Sequence, residues 1–238
     1  MDIIMSNTKI QIKWLGQSGY LLSVGETVIC IDPYLSDSVE KVSGKRRMCD
    51  APIQPKDLTA DIFICTHDHL DHLDPDTLSQ LDCPHALFLA PADCQEHLKK
   101  LGIKNAKVFD KGDVYSEGSF NIKAVFADHT VPAIGVIVEA DGKKMYFSGD
   151  TYYNEKLKDI SGIDLMFICI NGKLGNMNVD EAIRLTKEIK PAVAVPNHYG
   201  MFAENTEDPE IFTSGVECGY ILEFNKNYSL EQILERKI

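Results

Sequence analysis

Ile62-Phe63-Ile64-Cys65-Thr66-His67-Asp68-His69-Leu70-Asp71-His72 passes from four apolar residues straight into three histidines and two aspartates. A short run rich in β-branched and aromatic residues reads as a buried strand. The polar stretch is therefore the loop at its end. Zinc and similar cations favour imidazole and carboxylate donors and need three or four of them. This one loop offers His67, His69, Asp71 and His72. His67 and His69 are spaced to face one metal, and Asp71 and His72 can turn to a second. Taking so many polar groups out of water without a cation would be costly.

The same pattern recurs along the chain. Residues 28–31 run into Asp32, 122–126 into Asp128 and His129, and 145–147 into Ser148-Gly149-Asp150. Residues 165–170 run into Asn171, and 192–195 into Pro196-Asn197-His198. Five of the seven histidines, namely His67, His69, His72, His129 and His198, thus stand at strand ends. His85 lies near a turn and His97 on a helix face expected to be exposed; both read as structural. Helices are expected over 91–101, over 179–189 after the N-cap Asn178 with Glu181 in its first turn, and over 208–214. Early strands at 10–14, 19–23 and 27–31, joined by turns with Gly16 and Gly25, form a meander. Strands alternating with helices predict α/β packing, and 238 residues without a linker or repeat predict one domain over 1–238.

The ordered set H-x-H-x-D-H, a downstream strand-end His129, Ser148-Gly149-Asp150-Thr151 and a late Pro196-Asn197-His198 resembles the metallo-β-lactamase superfamily. The resemblance implies a four-layer αββα sandwich with two metals at the edge of two sheets. It implies that His67, His69 and His129 bind one metal, that Asp71, His72 and His198 bind the other, and that Asp150 bridges them. More narrowly, Trp14-Leu15-Gly16, the 66–72 loop, Ser148-Gly149-Asp150-Thr151-Tyr152-Tyr153 and the stretch 178–209 are similar to the L-ascorbate-6-phosphate lactonases. Those proteins are longer, with N-terminal and internal segments absent here.

The expected cofactors are two divalent ions, zinc or manganese foremost, with iron also suited to the donors. A metal-bridging hydroxide would attack a carbonyl or phosphoryl centre. The expected reaction is the opening of a sugar lactone, phosphorylated as in L-ascorbate 6-phosphate, with Asp71 as catalytic proton shuttle. A phosphodiesterase on the same binuclear scaffold is the alternative. An oxidoreductase is disfavoured because diiron relatives resemble H-x-E-x-D, whereas position 69 is His. A non-catalytic metal protein is disfavoured by the full ligand complement. Thr66, Asp32 and Asp128 are candidates to orient imidazoles. For a small, anionic substrate the candidates are Arg46 and Arg47 of the Lys45-Arg46-Arg47 loop, with Lys173, Tyr152 and Asn197.

The net charge of −12 argues against broad nucleic-acid contact, which draws on Lys and Arg. No apolar run approaches the length of a membrane span. Residues 1–9 look like a short leader to the first strand, not a signal peptide. Seven scattered cysteines without a C-x-x-C pair predict a reducing, cytoplasmic setting, with Cys30, Cys65 and Cys169 as small core hydrophobes. A homo-oligomer is left open.

Overall fold

A computed structural model describes residues 9–236, so the leader expected over 1–9 falls, apart from Lys9, outside the described residues. Its strands are β1 (Gln11–Gly16), β2 (Gly19–Val24), β3 (Thr27–Ile31), β4 (Ile62–Ile64), β5 (Leu87–Ala90), β6 (Ala106–Val108), β7 (Val114–Glu117), β8 (Phe120–Phe126), β9 (Ile134–Ala140), β10 (Lys143–Phe147), β11 (Leu165–Cys169), β12 (Val193–Asn197) and β13 (Asn227–Ser229). The helices are α1 (Ser38–Ser43), α2 (Pro75–Leu78), α3 (Gln95–Lys100), α4 (Val179–Ile189), α5 (Pro209–Gly215) and α6 (Leu230–Glu235).

The strands form two mixed sheets, ordered β13-β1-β2-β3-β4-β5-β6 and β12-β11-β10-β9-β8-β7. The first three strands make the expected antiparallel meander, with Trp14 opposite Tyr20 and Leu22 opposite Ile29. From β3 onward the first sheet is parallel, with Cys30 beside Phe63 and Phe63 beside Phe88. In the second sheet β10, β11 and β12 are parallel, with Phe147 beside Phe167 and Phe167 beside Val195. Parallel strands are covered on both faces, which is why β4, β11 and β12 are uniformly buried, and apolar up to Asn197 at the end of β12. In β8, by contrast, Phe120, Ile122 and Ala124 alternate inward with exposed Asn121 and Lys123.

Three apolar clusters define four layers. The central one lies between the sheets, where the Tyr20 and Phe167 rings sit 4.4 Å apart and Phe147 stacks on Phe167 at 4.5 Å. A second packs Ala182, Leu185 and Ile189 of α4 and Phe212 of α5 on the outer face of the second sheet. A third packs Leu78 of α2 and Leu98 of α3 over Phe63 and Phe88 of the first. Each fully buried Leu, Ile or Phe contributes about 1.5–3 kcal/mol relative to exposure, so these interfaces hold the sheets face to face.

α4 begins as its sequence predicts: the Asn178 side chain accepts from Glu181 N–H while Glu181 returns a bond to Asn178 N–H. The helix expected over 91–101 is shorter: Ala92–Cys94 is a 3₁₀ turn, and α3 follows it. β5, β6, β7, β9 and β13 go beyond the strands read from the sequence. Several are three or four residues long, too short for period-2 alternation to register. All seven cysteines are free, and Cys30, Cys65 and Cys169 are buried in the core. No described helix is long and apolar enough to cross a membrane.

Candidate metal centre

Both sheets deliver polar loops to the same edge, at the carboxyl ends of β4, β8, β10 and β12. After β4, His69 C=O accepts from His72 and Leu73 N–H, winding the loop into a turn that separates two pairs of ligands. Thr66 C=O accepts from Ile134 N–H, tying this loop to the entry of β9 in the other sheet. After β10, Gly149 takes a left-handed φ of +57°, and a Cβ there would lie 2.9 Å from the Ile134 carbonyl. The chain can therefore turn Asp150 inward only with glycine at 149. His198, beyond β12, is itself left-handed at φ 59°.

These loops bring His67, His69, Asp71, His72, His129, Asp150 and His198 together. His67 Nε2 and His129 Nε2 lie 3.0 and 3.1 Å from His69 Nδ1, and 4.0 and 3.9 Å from Asp150 Oδ2. His72 Nε2 and His198 Nε2 each lie 3.2 Å from Asp150 Oδ1, and 3.8 and 3.5 Å from Asp71 Oδ2. Asp150 thus presents one oxygen to each cluster. His72 Nε2 and Asp150 Oδ1 are buried without a hydrogen-bond partner. Orphaned donor atoms converging from imidazoles and carboxylates fit divalent cations and little else. His67, His69, His129 and Asp150 could hold one ion; Asp71, His72 and His198 could hold another.

A further ring of contacts orients these donors. Asp32 accepts Thr66 N–H on Oδ1 at 2.7 Å and Thr66 hydroxyl on Oδ2 at 2.6 Å, and its Oδ2 lies 2.7 Å from His72 Nδ1. His129 Nδ1 donates to Gly175 C=O at 3.0 Å, which leaves Nε2 as the ligand atom. Asn176 Nδ2 donates to Asp150 Oδ2 at 2.9 Å, and Gln17 Nε2 to Asp71 Oδ2 at 2.8 Å. Asp32 and Thr66 are among the residues expected to orient imidazoles. Asp128 instead accepts from Asn154 Nδ2 and organises its own loop. Gln17, Gly175 and Asn176 were not signalled by the sequence: a single carboxamide or carbonyl in a turn has no motif.

The two clusters differ in charge. Burial pushes the His67, His69 and His129 imidazoles below their ordinary value, so this group is neutral. Burial also opposes charge on His72 and His198, but the carboxylates of Asp150 and Asp71, with Asp32 at His72, outweigh it. His72 is held well above the usual range and His198 is pushed up to about 9. Burial would raise Asp71 and Asp150 too, yet the His72 and His198 charges hold both well below the ordinary carboxylate range.

Beside the centre lies a cavity of about 390 Å³, lined by the apolar Val39, Leu70, Leu174 and Phe202 and by the polar Ser43, Lys45, Thr130, Asn176 and Asn205. None of the five side chains expected to meet substrate lines it. Arg47 uses its Nη1 on the Tyr34 and Ser36 carbonyls (3.2 and 3.1 Å) and its Nε on Cys49 C=O (3.2 Å). It is a staple of its own loop, and Arg46 and Arg47 border a separate cavity with Asp37, Glu40 and Asp50. Lys173 Nζ donates to Glu204 C=O at 3.0 Å, Tyr152 is 44% exposed, and Asn197 is buried within β12. His97, expected on an exposed face, is half-buried, its Nδ1 2.7 Å from Asp68 Oδ1 of the ligand loop.

Residues 11–198 match the family model of the β-lactamase superfamily domain. A UPF0173 metal-dependent hydrolase of Thermoplasma acidophilum is 30% identical over 219 residues, 87% of this chain and 90% of that protein. Another from Staphylococcus epidermidis is 27% identical over 239 residues, 93% of this chain and 100% of its own. A metallo hydrolase from the archaeon Ignicoccus hospitalis superposes with a TM-score of 0.74 at 22% identity, covering 94% of this chain and 99% of that one. The chain has the metallo-β-lactamase fold and belongs to that superfamily. Within it, the chain belongs to the UPF0173 metal-dependent hydrolase family. Neither relative's name specifies a substrate.

Proposed function

We propose that this chain hydrolyses small carboxylic esters, lactones foremost, with two divalent cations, zinc or manganese, held by the two clusters. The observation that carries the reading is the placement of Asp150, whose two oxygens face different sets of imidazoles. When bound, such ions supply a water acidified towards neutrality and polarisation of the scissile carbonyl.

The chain's own residues do the rest. His67, His69, His129 and Asp150 bind at one end, and Asp71, His72 and His198 at the other. Asp32, Gly175, Asn176 and Gln17 orient them. In the metal-free protein the charges on His72 and His198 hold Asp71 as a carboxylate, and a bound cation would take over that role. With Oδ2 engaged by Gln17, Asp71 can take a proton at Oδ1 and return it to the leaving alkoxide. A cavity of about 390 Å³ suits a small molecule. L-ascorbate 6-phosphate, to which the lactonase resemblance points, belongs in the first panel of substrates.

The test is metal analysis of protein purified without added metal, then a panel of lactones and phosphodiesters. Lactone opening that disappears in His67→Ala, together with bound metal, is the expected outcome. Hydrolysis of bis-p-nitrophenyl phosphate with no lactone turned over would replace this reading by a phosphodiesterase.

A further inference from the structure

We propose that Lys45 is the anion receptor of the metal-centre cavity, and that the substrate carries one anionic group on an apolar body. This rests on the reading of the adjoining centre as hydrolytic. Among the described residues, and apart from the ligands His69, Asp71, Asp150 and His198, Lys45 is the only ionisable side chain lining the cavity. It makes no hydrogen bond or ion pair that would occupy its ammonium among the described residues, whereas Arg47 and Lys173 place theirs on backbone carbonyls. In a chain of net charge −12, the one free charge at this mouth is positive. With the only lining acids turned to the ligand clusters, an entering anion meets attraction and no competing carboxylate. Asn205 adds to the polar lining: its Oδ1 accepts from Asn171 Nδ2 at 2.8 Å, leaving its own Nδ2 to donate.

The cavity's apolar lining sets the rest of the substrate. Leu70, Phe202 and Leu174 belong to that lining, and Leu174 is 62% exposed with a left-handed φ of 56°. A leucine held in that conformation and kept in water calls for an explanation by function. Its loop supplies one: the next two residues bond metal-centre side chains, Gly175 through its carbonyl to His129 and Asn176 through its amide to Asp150. Leu174 is thereby fixed beside the reacting end, where an apolar chain would cover it. A phosphorylated sugar, with two charges and many hydroxyls, finds one free ammonium here beside the apolar Val39, Leu70, Leu174 and Phe202. A carboxylate on an aliphatic or aromatic chain matches both the ammonium and the apolar lining.

The experiment uses the metal-loaded protein with two readouts. Hydrolysis of mono-p-nitrophenyl glutarate is compared with that of p-nitrophenyl butyrate, and binding of phenylbutyrate with that of phenylbutanol is measured by calorimetry. The wild type should favour the anion in each pair. Lys45→Met should lower the anionic-to-neutral ratio of kcat/KM, and the same ratio of affinities, by about tenfold or more, the size of one charge-assisted hydrogen bond; Lys45→Glu should invert it. Leu174→Asn should weaken phenylbutyrate more than it weakens propionate. Phenylbutyrate bound equally by wild type and Lys45→Met would put the carboxylate on the metals alone and overturn the proposal. If neither ester is hydrolysed, the ester reading of the centre fails, while phenylbutyrate binding still decides the role of Lys45.

Discussion

His72 Nδ1 lies 2.7 Å from Asp32 Oδ2, and both side chains are fully buried. Asp32 stands at the end of β3 in a left-handed conformation, φ 43°, and its two oxygens also take the amide and hydroxyl of Thr66. One carboxylate therefore fixes the start of the ligand loop and the tautomer of a ligand six residues along. Asp32→Asn keeps the shape and removes the charge, and its metal affinity should fall about 10–100-fold. Chelator competition measures this. Asp32→Ala, which orphans buried Thr66 and His72, should lose about 3–5 kcal/mol of stability in denaturant titration. Unchanged affinity in the asparagine variant would show that His72 is oriented by packing alone.

Gln17, fully buried and left-handed at φ 51°, holds Asp71 and lies 3.2 Å from His198 Nε2. It touches only the second cluster. Gln17→Glu sets a second carboxylate against Asp71 and should disturb that cluster alone. We expect bound metal to fall from about two equivalents to about one, with the remaining ion held as in the wild type. Elemental analysis after dialysis reads this. Equal loss from both clusters would assign Gln17 to the fold and not to the site.

At Gly175 the backbone is left-handed, φ +101°, and a Cβ would fall 2.5 Å from His129 Nδ1 and 2.6 Å from Cε1. Gly175→Ala should therefore push His129 out of the first cluster and cost about 1–3 kcal/mol in backbone strain. Metal affinity and thermal unfolding of the metal-free variant separate the two effects. Wild-type affinity would mean that the 172–177 loop yields instead of the imidazole.

Protons should be released unequally as metals load. In metal-free protein at pH 7.5, His72 and His198 carry protons because their values are raised, whereas His67, His69 and His129 are already neutral. Filling the first cluster should release almost none, and filling the second about two. Calorimetry in buffers of different ionisation enthalpy counts them. The same shifts set a stability profile for the metal-free form. For His198, raised from 6.5 to about 9, the stabilisation is full below pH 6.5 and is lost as pH rises through about 9. The depressed imidazoles act oppositely, favouring the fold above pH 6.5 and opposing it as pH falls below. Equal proton release at both steps would contradict this division.

Much of the centre was legible because its donors sit where strands end. Thr66 to His72 announced itself by composition, and α4 by Asn178 and Glu181. Lys45, Arg46 and Arg47 show the limit. Three adjacent basic residues are equivalent in sequence, yet the loop turns Arg47 onto the Tyr34 and Ser36 carbonyls and sets Lys45 at the cavity. His97 was likewise indistinguishable from a surface histidine until α3 carried it to Asp68.

The residue order alone determined which side chains can bind metal and that strands would carry them, since donor chemistry and hydrophobic patterning are local properties. Only the tertiary structure decided that Asp32 and Gln17 brace different ligands, and that Lys45, of three adjacent basic residues, lines the cavity. Those relationships join positions tens to nearly two hundred residues apart, such as Gln17 with His198. Packing two sheets face to face sets such distances, and no spacing along the chain encodes them.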